Sequence, residues 1–337
     1  MVRRNPKRKI DSTDWKKALE KMNYAIVGDT SAVQICLWTK NSLRGKGGCW
    51  KEKFYGISAA SCCQMTPSVM WCENRCVHCW RPIEMSLGTT LPKIDEPKEI
   101  LDGIVEARKK LLEGFRGRKG VDLKKYEEAL EPKLYTMSLS GEPTLYPKLG
   151  EMFKEIRRRG AVSFLVTNGL NPDAIESLKE EELPTQITVS TNAPNEKLFI
   201  IWHRSCKKDA WKEFNQTLDV IRNLKGKVRR VIRLTLVKKG KDGKFNDLTN
   251  MSEENIGEYS SLIKKAEPDF IHIKGFKSIG YARERLGYDR QPWFSEVKEY
   301  ALKILGNLED YEFGGEDESS CVVMLKKKDV EAKIKKI

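Results

Sequence analysis

From Ser68 onward the chain alternates short β-branched or apolar runs with longer amphipathic stretches. This rhythm constrains the fold more than any other feature. The candidate strands are residues 68–71, 134–139, 162–167, 186–190, 228–237 and 269–274. After the first of them, Ile100, Leu101, Ile104, Val105, Leu111 and Leu112 share one helical face, and Pro97 suits the first turn. Leu149, Met152, Phe153 and Ile156 form a second stripe, and Trp211, Phe214, Leu218 and Ile221 a third. Residues 173–178 predict a short helix, and Ser252 with Glu254 and Asn255 starts another. Strands joined by crossover helices lie parallel. Six are too few for a closed eight-stranded barrel. The pattern therefore predicts an α/β fold, a partial (β/α)6 TIM-like barrel over residues 67–280. An N-terminal extension (1–66) precedes it, and a C-terminal extension (281–337) follows, with a helix at 293–305 and a strand at 320–326.

A length of 337 residues allows one large domain or two smaller ones, and a hydrophobic fraction of 39% supplies a core. No run approaches the ~18 apolar residues that span a bilayer. The basic opening stretch, residues 1–17, has no apolar segment behind it and is no secretory signal. The expected location is cytoplasmic, and the absence of an exposed heptad predicts a monomer. Nine cysteines, an odd number in such a chain, read as reduced thiols, some of them metal ligands. The net charge of 62 − 48 = +14 fits either a Lys/Glu-rich thermophile surface or a polyanionic partner.

The sharpest chemical signal is Cys72-Glu-Asn-Arg-Cys76-Val-His-Cys79, a C-x3-C-x2-C loop directly after the first candidate strand. Three thiolates on one tight loop can bind three irons of a cubane and leave the fourth open. A zinc site with His78 as fourth ligand is the alternative.

This loop, so placed, resembles that of the radical S-adenosylmethionine (SAM) superfamily. The resemblance implies a radical SAM type of barrel, a [4Fe–4S] cluster on Cys72, Cys76 and Cys79, and SAM on its open iron. His78 holds the position that usually packs an aromatic ring near the adenine. Ser140-Gly141-Glu142 looks like the superfamily's Gly-Gly-Glu segment, with Ser for the first Gly, and Glu142 is expected to meet the SAM ammonium. Thr167-Asn168 and Ser190 with Asn192 close the next two strands, where short polar side chains meet ligands such as ribose hydroxyls. Arg233 and Thr235 alternate with Ile232 and Leu234, and Arg233 either meets the SAM carboxylate or faces water. His272 and Lys274 alternate with Ile271 and Ile273 in the same way.

Cys36, Cys49 and Cys62 lie 13 residues apart in a Gly- and Lys-rich segment that gains more from a metal staple than from packing. A structural zinc or three unrelated thiols are the other readings. Cys63, Cys206 and Cys321 read as core or surface thiols. C-x12-C-x12-C ahead of C-x3-C-x2-C resembles the archaeal tRNA 4-demethylwyosine synthases. So do the words Cys36-Leu-Trp-Thr-Lys40-Asn-Ser-Leu-Arg44-Gly, Phe54-Tyr-Gly-Ile and Cys79-Trp-Arg-Pro82.

This second resemblance implies a radical SAM carbon–carbon lyase with two [4Fe–4S] clusters. Its substrate is N1-methylguanosine at position 37 of tRNA(Phe), condensed with pyruvate. It also implies a separate electron-donor protein of flavodoxin or ferredoxin type. Pyruvate chelation by the auxiliary cluster on Cys36, Cys49 and Cys62 is the simpler reading, and a Schiff base on Lys40 is the rival.

A base in an anticodon loop must be splayed out to reach a barrel interior. Candidate phosphate contacts are Lys109, Lys110, Arg116, Arg118, Lys119, Lys124 and Lys125, with Arg157–Arg159 and Arg229–Arg230. Trp38, Trp50, Trp71 and Trp80 are candidate stacking platforms. The competing functions are another radical SAM RNA modifier, such as a methylthiotransferase, and a non-catalytic zinc protein that binds RNA.

Overall fold

The computed structural model describes residues 14–241, 245 and 247–334, so most of the basic opening stretch lies outside the described residues. Its framework is one ten-stranded sheet in the order β1-β2-β3-β4-β5-β6-β7-β8-β10-β9. The strands are β1 (Tyr24–Val27), β2 (Ser31–Gln34), β3 (Cys62–Thr66), β4 (Leu134–Met137), β5 (Val162–Thr167), β6 (Gln186–Ser190), β7 (Arg229–Leu236), β8 (Phe270–Gly275), β9 (Tyr311–Asp317) and β10 (Val322–Lys327). From β3 to β8 every neighbour is parallel. At the edges β1, β2, β9 and β10 pair antiparallel, β2 against β3 and β10 against β8. The six-stranded partial barrel read from the sequence is the fold.

Helices cover the outer face. Pro97–Arg116, Leu149–Arg158, Ala210–Asn223 and Glu254–Ala266 carry the stripes named above. They meet outward residues of the strands, such as Leu165, Ile187, Ile232 and Ile271, in one core cluster. The inward positions are mostly polar instead. Register puts Gln64 beside Thr136, Thr136 beside Phe164, Phe164 beside Gln186, and Arg233 beside His272. Strand alternation therefore separates a packed outer layer from a polar interior. Below, Tyr55, Phe164 and Phe270 close the floor with Val330, Ala332 and Ile334. Ile334 N–H donates to Tyr55 O at 3.0 Å.

One strand assignment shifts. Residues 68–71 are turn rather than strand, and the first barrel strand is Cys62–Thr66. The apolar run Val69, Met70 and Trp71 is buried because it packs with Trp15, Leu19 and Tyr24 in a satellite cluster. A short buried run has this signature whatever its backbone does. The Gly- and Lys-rich segment around Cys36, Cys49 and Cys62 also contains two short helices, Leu37–Leu43 and Trp50–Tyr55.

Candidate active site

The cysteine loop leaves β3 through Pro67 and is gripped from two sides. On one side is the segment after β4. Gly141 has φ +76°, and a Cβ there would lie 1.7 Å from the Ser68 carbonyl oxygen, so glycine alone fits. Its neighbours bind the same turn. Ser140 Oγ donates to Val69 O (2.9 Å), Ser68 Oγ to Glu142 O (2.7 Å), and Glu142 N–H to Trp71 O (2.8 Å).

The Glu142 carboxylate is buried and takes four donors. Thr144 N–H (3.2 Å), Thr144 Oγ1 (2.8 Å) and Thr167 Oγ1 (2.7 Å) reach Oε1, and Asn168 N–H (2.8 Å) reaches Oε2. These bonds tie the end of β4 to the end of β5. Asn168 Nδ2 donates to Glu73 Oε2 at 3.0 Å, which carries this network into the cysteine loop.

On the other side is the C-terminal end of the helix Glu196–His203, which the sequence pattern did not reveal. Its last carbonyls accept from the loop: Arg75 N–H reaches His203 O (2.9 Å) and Val77 N–H reaches Trp202 O (3.0 Å). Trp202 Nε1 donates to His78 Nδ1 at 2.7 Å. Burial, with Arg233 and Arg285 nearby, holds His78 neutral, its pKa lowered to about 3. This geometry commits one nitrogen of His78, the fourth ligand of the zinc alternative, to Trp202. The imidazole that meets a loop thiol is His203, whose Nδ1 lies 3.1 Å from Cys76 Sγ.

Cys72, Cys76 and Cys79 are free thiols within electrostatic reach of one another. Burial pushes Cys72 up to about 12 and Cys76 well above the ordinary thiol value, against the pull of Arg81. Three thiols crowded into a sheltered loop are a poor set of lone side chains and a good set of ligands for a cationic cluster. Among the described residues no group of three or more His, Cys, Asp and Glu side chains closes on a single-ion site.

The second set converges as well. Cys36 is the N-cap of the helix Leu37–Leu43, its Sγ accepting from Thr39 N–H at 3.4 Å, and Cys49 is the N-cap of Trp50–Tyr55. Cys62 opens β3. All three line one cavity of about 200 Å³ inside the barrel, with Lys51, Arg233 and Lys274. Among the described residues no Asp or Glu lines it. Lys51 Nζ lies 3.1 Å from both Cys62 Sγ and Thr136 Oγ1. Burial opposes its charge, but Cys62 and Cys49 overcome that and raise the ammonium pKa. Burial likewise opposes the Cys62 thiolate, yet Lys51 holds its pKa below the ordinary value. Three thiols gathered in one sheltered cavity, Cys62 already favoured as the thiolate, suit a metal cluster.

Arg233 donates to Ser190 Oγ at 2.8 Å, its Nε has no partner among the described residues, and burial lowers its pKa to about 10. Burial and Arg233 lower Lys274 to about 8. An under-satisfied buried guanidinium beside a second cation calls for an anion. Asn192 Oδ1 accepts from Thr235 N–H at 3.1 Å, so both brace the end of β7.

Lys40 lies elsewhere. It lines a separate cleft with Asn23, Arg44, Phe115 and Arg118, on the other side of its helix from the cavity that Trp38 lines. Lys51, two residues after Cys49, is the amine beside the auxiliary thiols. The tryptophans also divide. Trp38, Trp50 and Trp80 line the central cavity, whereas Trp71 packs edge-on against Trp15 at 6.0 Å. Several expected phosphate contacts are occupied. Arg157 donates to Glu181 O and Leu183 O. Arg158 and Arg159 pair with Glu155, Arg230 with Asp269, and Lys109 with Glu106. Arg229 covers Tyr55 and Phe270 at the floor.

A six-stranded partial barrel with a C-x3-C-x2-C loop at its upper rim is a radical SAM protein, and that superfamily's signature matches residues 67–251. A second signature, wyosine base formation, matches residues 265–327. The S-adenosyl-L-methionine-dependent tRNA 4-demethylwyosine synthase of Pyrococcus abyssi is 40% identical over 92% of this chain and 88% of its own. That of Methanocaldococcus jannaschii is 35% identical over 92% of this chain and 94% of its own. The structure of TYW1 with a lysine–pyruvate adduct bound is similar at a TM-score of 0.80 and 33% identity, covering 95% of this chain and 98% of that one. The crystal structure of archaeal TYW1 is similar at 0.74 and 31%, covering 95% and 98%. The chain belongs to the tRNA 4-demethylwyosine synthase family.

Proposed function

We propose that this chain converts N1-methylguanosine at position 37 of tRNA(Phe) to 4-demethylwyosine in the cytoplasm, as a monomer, with pyruvate as two-carbon donor. The reading includes SAM, two [4Fe–4S] clusters and a separate flavodoxin- or ferredoxin-type electron donor. The observation that carries it is the cavity that gathers Cys36, Cys49, Cys62 and the Lys51 amine among cations with no acid. When bound, the cluster on Cys72, Cys76 and Cys79 and its SAM supply a 5′-deoxyadenosyl radical.

The chain's own residues do the rest. Lys51 must first give up the proton that its Cys62 and Cys49 neighbours hold on it; the neutral amine then adds to the pyruvate ketone, and water leaves to form an imine. A lysine–pyruvate adduct is present in the similar TYW1 structure. Arg233 and Lys274 offer charge to the carboxylate. Trp38, Trp50 and Trp80 offer faces to a splayed base, while the barrel wall excludes bulk water.

Two measurements test this. Anaerobic reaction of the reconstituted protein with N1-methylguanosine-37 tRNA, SAM and pyruvate is expected to add two carbons to the RNA. A methylthio-sized gain, or none, would overturn the reading. Borohydride reduction with pyruvate is expected to mark the peptide containing Lys51, and Lys51→Met to lose both the mark and the product. A mark on Lys40 or Lys274 reassigns the amine.

A further inference from the structure

The cleft on the far side of the helix Leu37–Leu43 has no part in the chemistry proposed above. It measures about 220 Å³, and its polar lining is Asn23, Lys40, Arg44 and Arg118 over Leu111 and Phe115. The guanidiniums of Arg44 and Arg118 both lie over the Phe115 ring, at 5.4 and 5.5 Å from its centroid. Among the described residues no carboxylate lines the cleft. Elsewhere cations pair closely, as in Lys98–Asp102, Arg158–Glu155 and Lys303–Glu253. Lys40, Arg44 and Arg118 make no ion pair among the described residues. Like charges drawn to one aromatic ring without an acid repel each other, and an anion between them removes that cost.

Position and extent select the anion. One helix separates the cleft from the central cavity, with Trp38 facing inward and Lys40 outward. Between them Leu37 is 63% exposed. The loops that carry Arg44 and Arg118 add Lys46 and Lys119, and the end of the helix Pro97–Arg116 adds Arg116, all exposed. A lone phosphate needs one pocket, whereas a track of cations matches a repeating polyanion, and forked guanidiniums match its phosphates.

We infer that Lys40, Arg44 and Arg118 form a binding site for the RNA sugar–phosphate backbone, which holds the strand beside the cavity that receives its base. This rests on the tRNA reading above and assigns the residues that grip the substrate.

The test compares the full-length double variant Arg44→Glu/Arg118→Glu with Lys154→Glu/Lys264→Glu, two exposed changes of equal charge on outer helices. Affinity for the anticodon stem–loop is measured by fluorescence anisotropy across salt concentrations. The cleft variant is expected to bind at least tenfold more weakly and to lose about one unit of salt slope per contact removed. The control is expected to keep the wild-type slope. Competition by inorganic phosphate separates a lone-phosphate pocket from a backbone track. Full competition at low millimolar phosphate, or equal slopes for wild type and cleft variant, overturns the inference. Equal losses in the two variants overturn it too, because net charge alone then explains binding. If wild type fails to bind the stem–loop, the tRNA reading falls and this site with it.

Discussion

His203 shows how a single side chain reaches the chemistry without a motif to announce it. Its Nδ1 lies 3.1 Å from Cys76 Sγ, and its Nε2 is buried without a partner among the described residues. An orphaned donor costs more than an orphaned acceptor, so the proton belongs on Nδ1, where it donates to sulfur. A hydrogen bond to a cluster sulfur favours the more negative, reduced state. His203→Phe is therefore expected to lower the reduction potential of the loop cluster. An EPR-monitored redox titration, in a chain whose Cys36, Cys49 and Cys62 are replaced by Ser, reads that cluster alone. An unchanged midpoint rejects the role. At this scale the sequence was only partly legible. The cysteines stand out because their spacing is itself the signal. Lys51 was hidden because a lysine two residues past Cys49 looks like any lysine until the helix Trp50–Tyr55 turns it toward Cys62. Glu142 was visible, but two of its four donors, Thr167 Oγ1 and Asn168 N–H, lie on a segment that only the fold brings to it.

Elements read best where one face is apolar. The stripes at Pro97–Arg116, Leu149–Arg158 and Ala210–Asn223 pack on the sheet and were plain in the spacing. The helix Glu196–His203 shows no such stripe, since Ile200 and Ile201 are 60% and 45% exposed beside buried Phe199 and Trp202. Its start was signalled only by Asn195, whose Oδ1 accepts from Leu198 N–H at 2.9 Å. Residues 68–71 misled for the opposite reason, being apolar and buried without joining the sheet. Their turn depends on Gly141. A Gly141→Ala variant must place Cβ against the Ser68 carbonyl at positive φ. The expected cost is about 2 kcal/mol or more, with the cysteine loop pushed out of register. A denaturant midpoint equal to wild type, with iron content retained, would show that the turn tolerates a side chain.

Across the whole molecule, all three histidines are held neutral by burial. His78 and His203 are lowered to about 3, and His272 lies well below its ordinary value beside Lys274, Arg233 and Arg229. The unfolded chain binds protons below about pH 6.5 that the folded chain refuses, so stability falls as pH drops. Each histidine contributes a slope of up to about 1.4 kcal/mol per pH unit. His272→Gln is expected to flatten the urea-unfolding profile between pH 6.5 and 5 by one proton. A slope unchanged by that variant would place the acid sensitivity elsewhere.

The acid-free walls around Cys36, Cys49 and Cys62 have one more consequence. A chamber that offers sulfur, Lys51, Arg233 and Lys274 selects strongly by sign of charge but weakly among species of the same sign. Lactate, phosphate and other small oxyanions of the cell can all contest the place. Discrimination then falls to the step that charge cannot perform, because only a molecule with a reactive carbonyl can be kept by an amine.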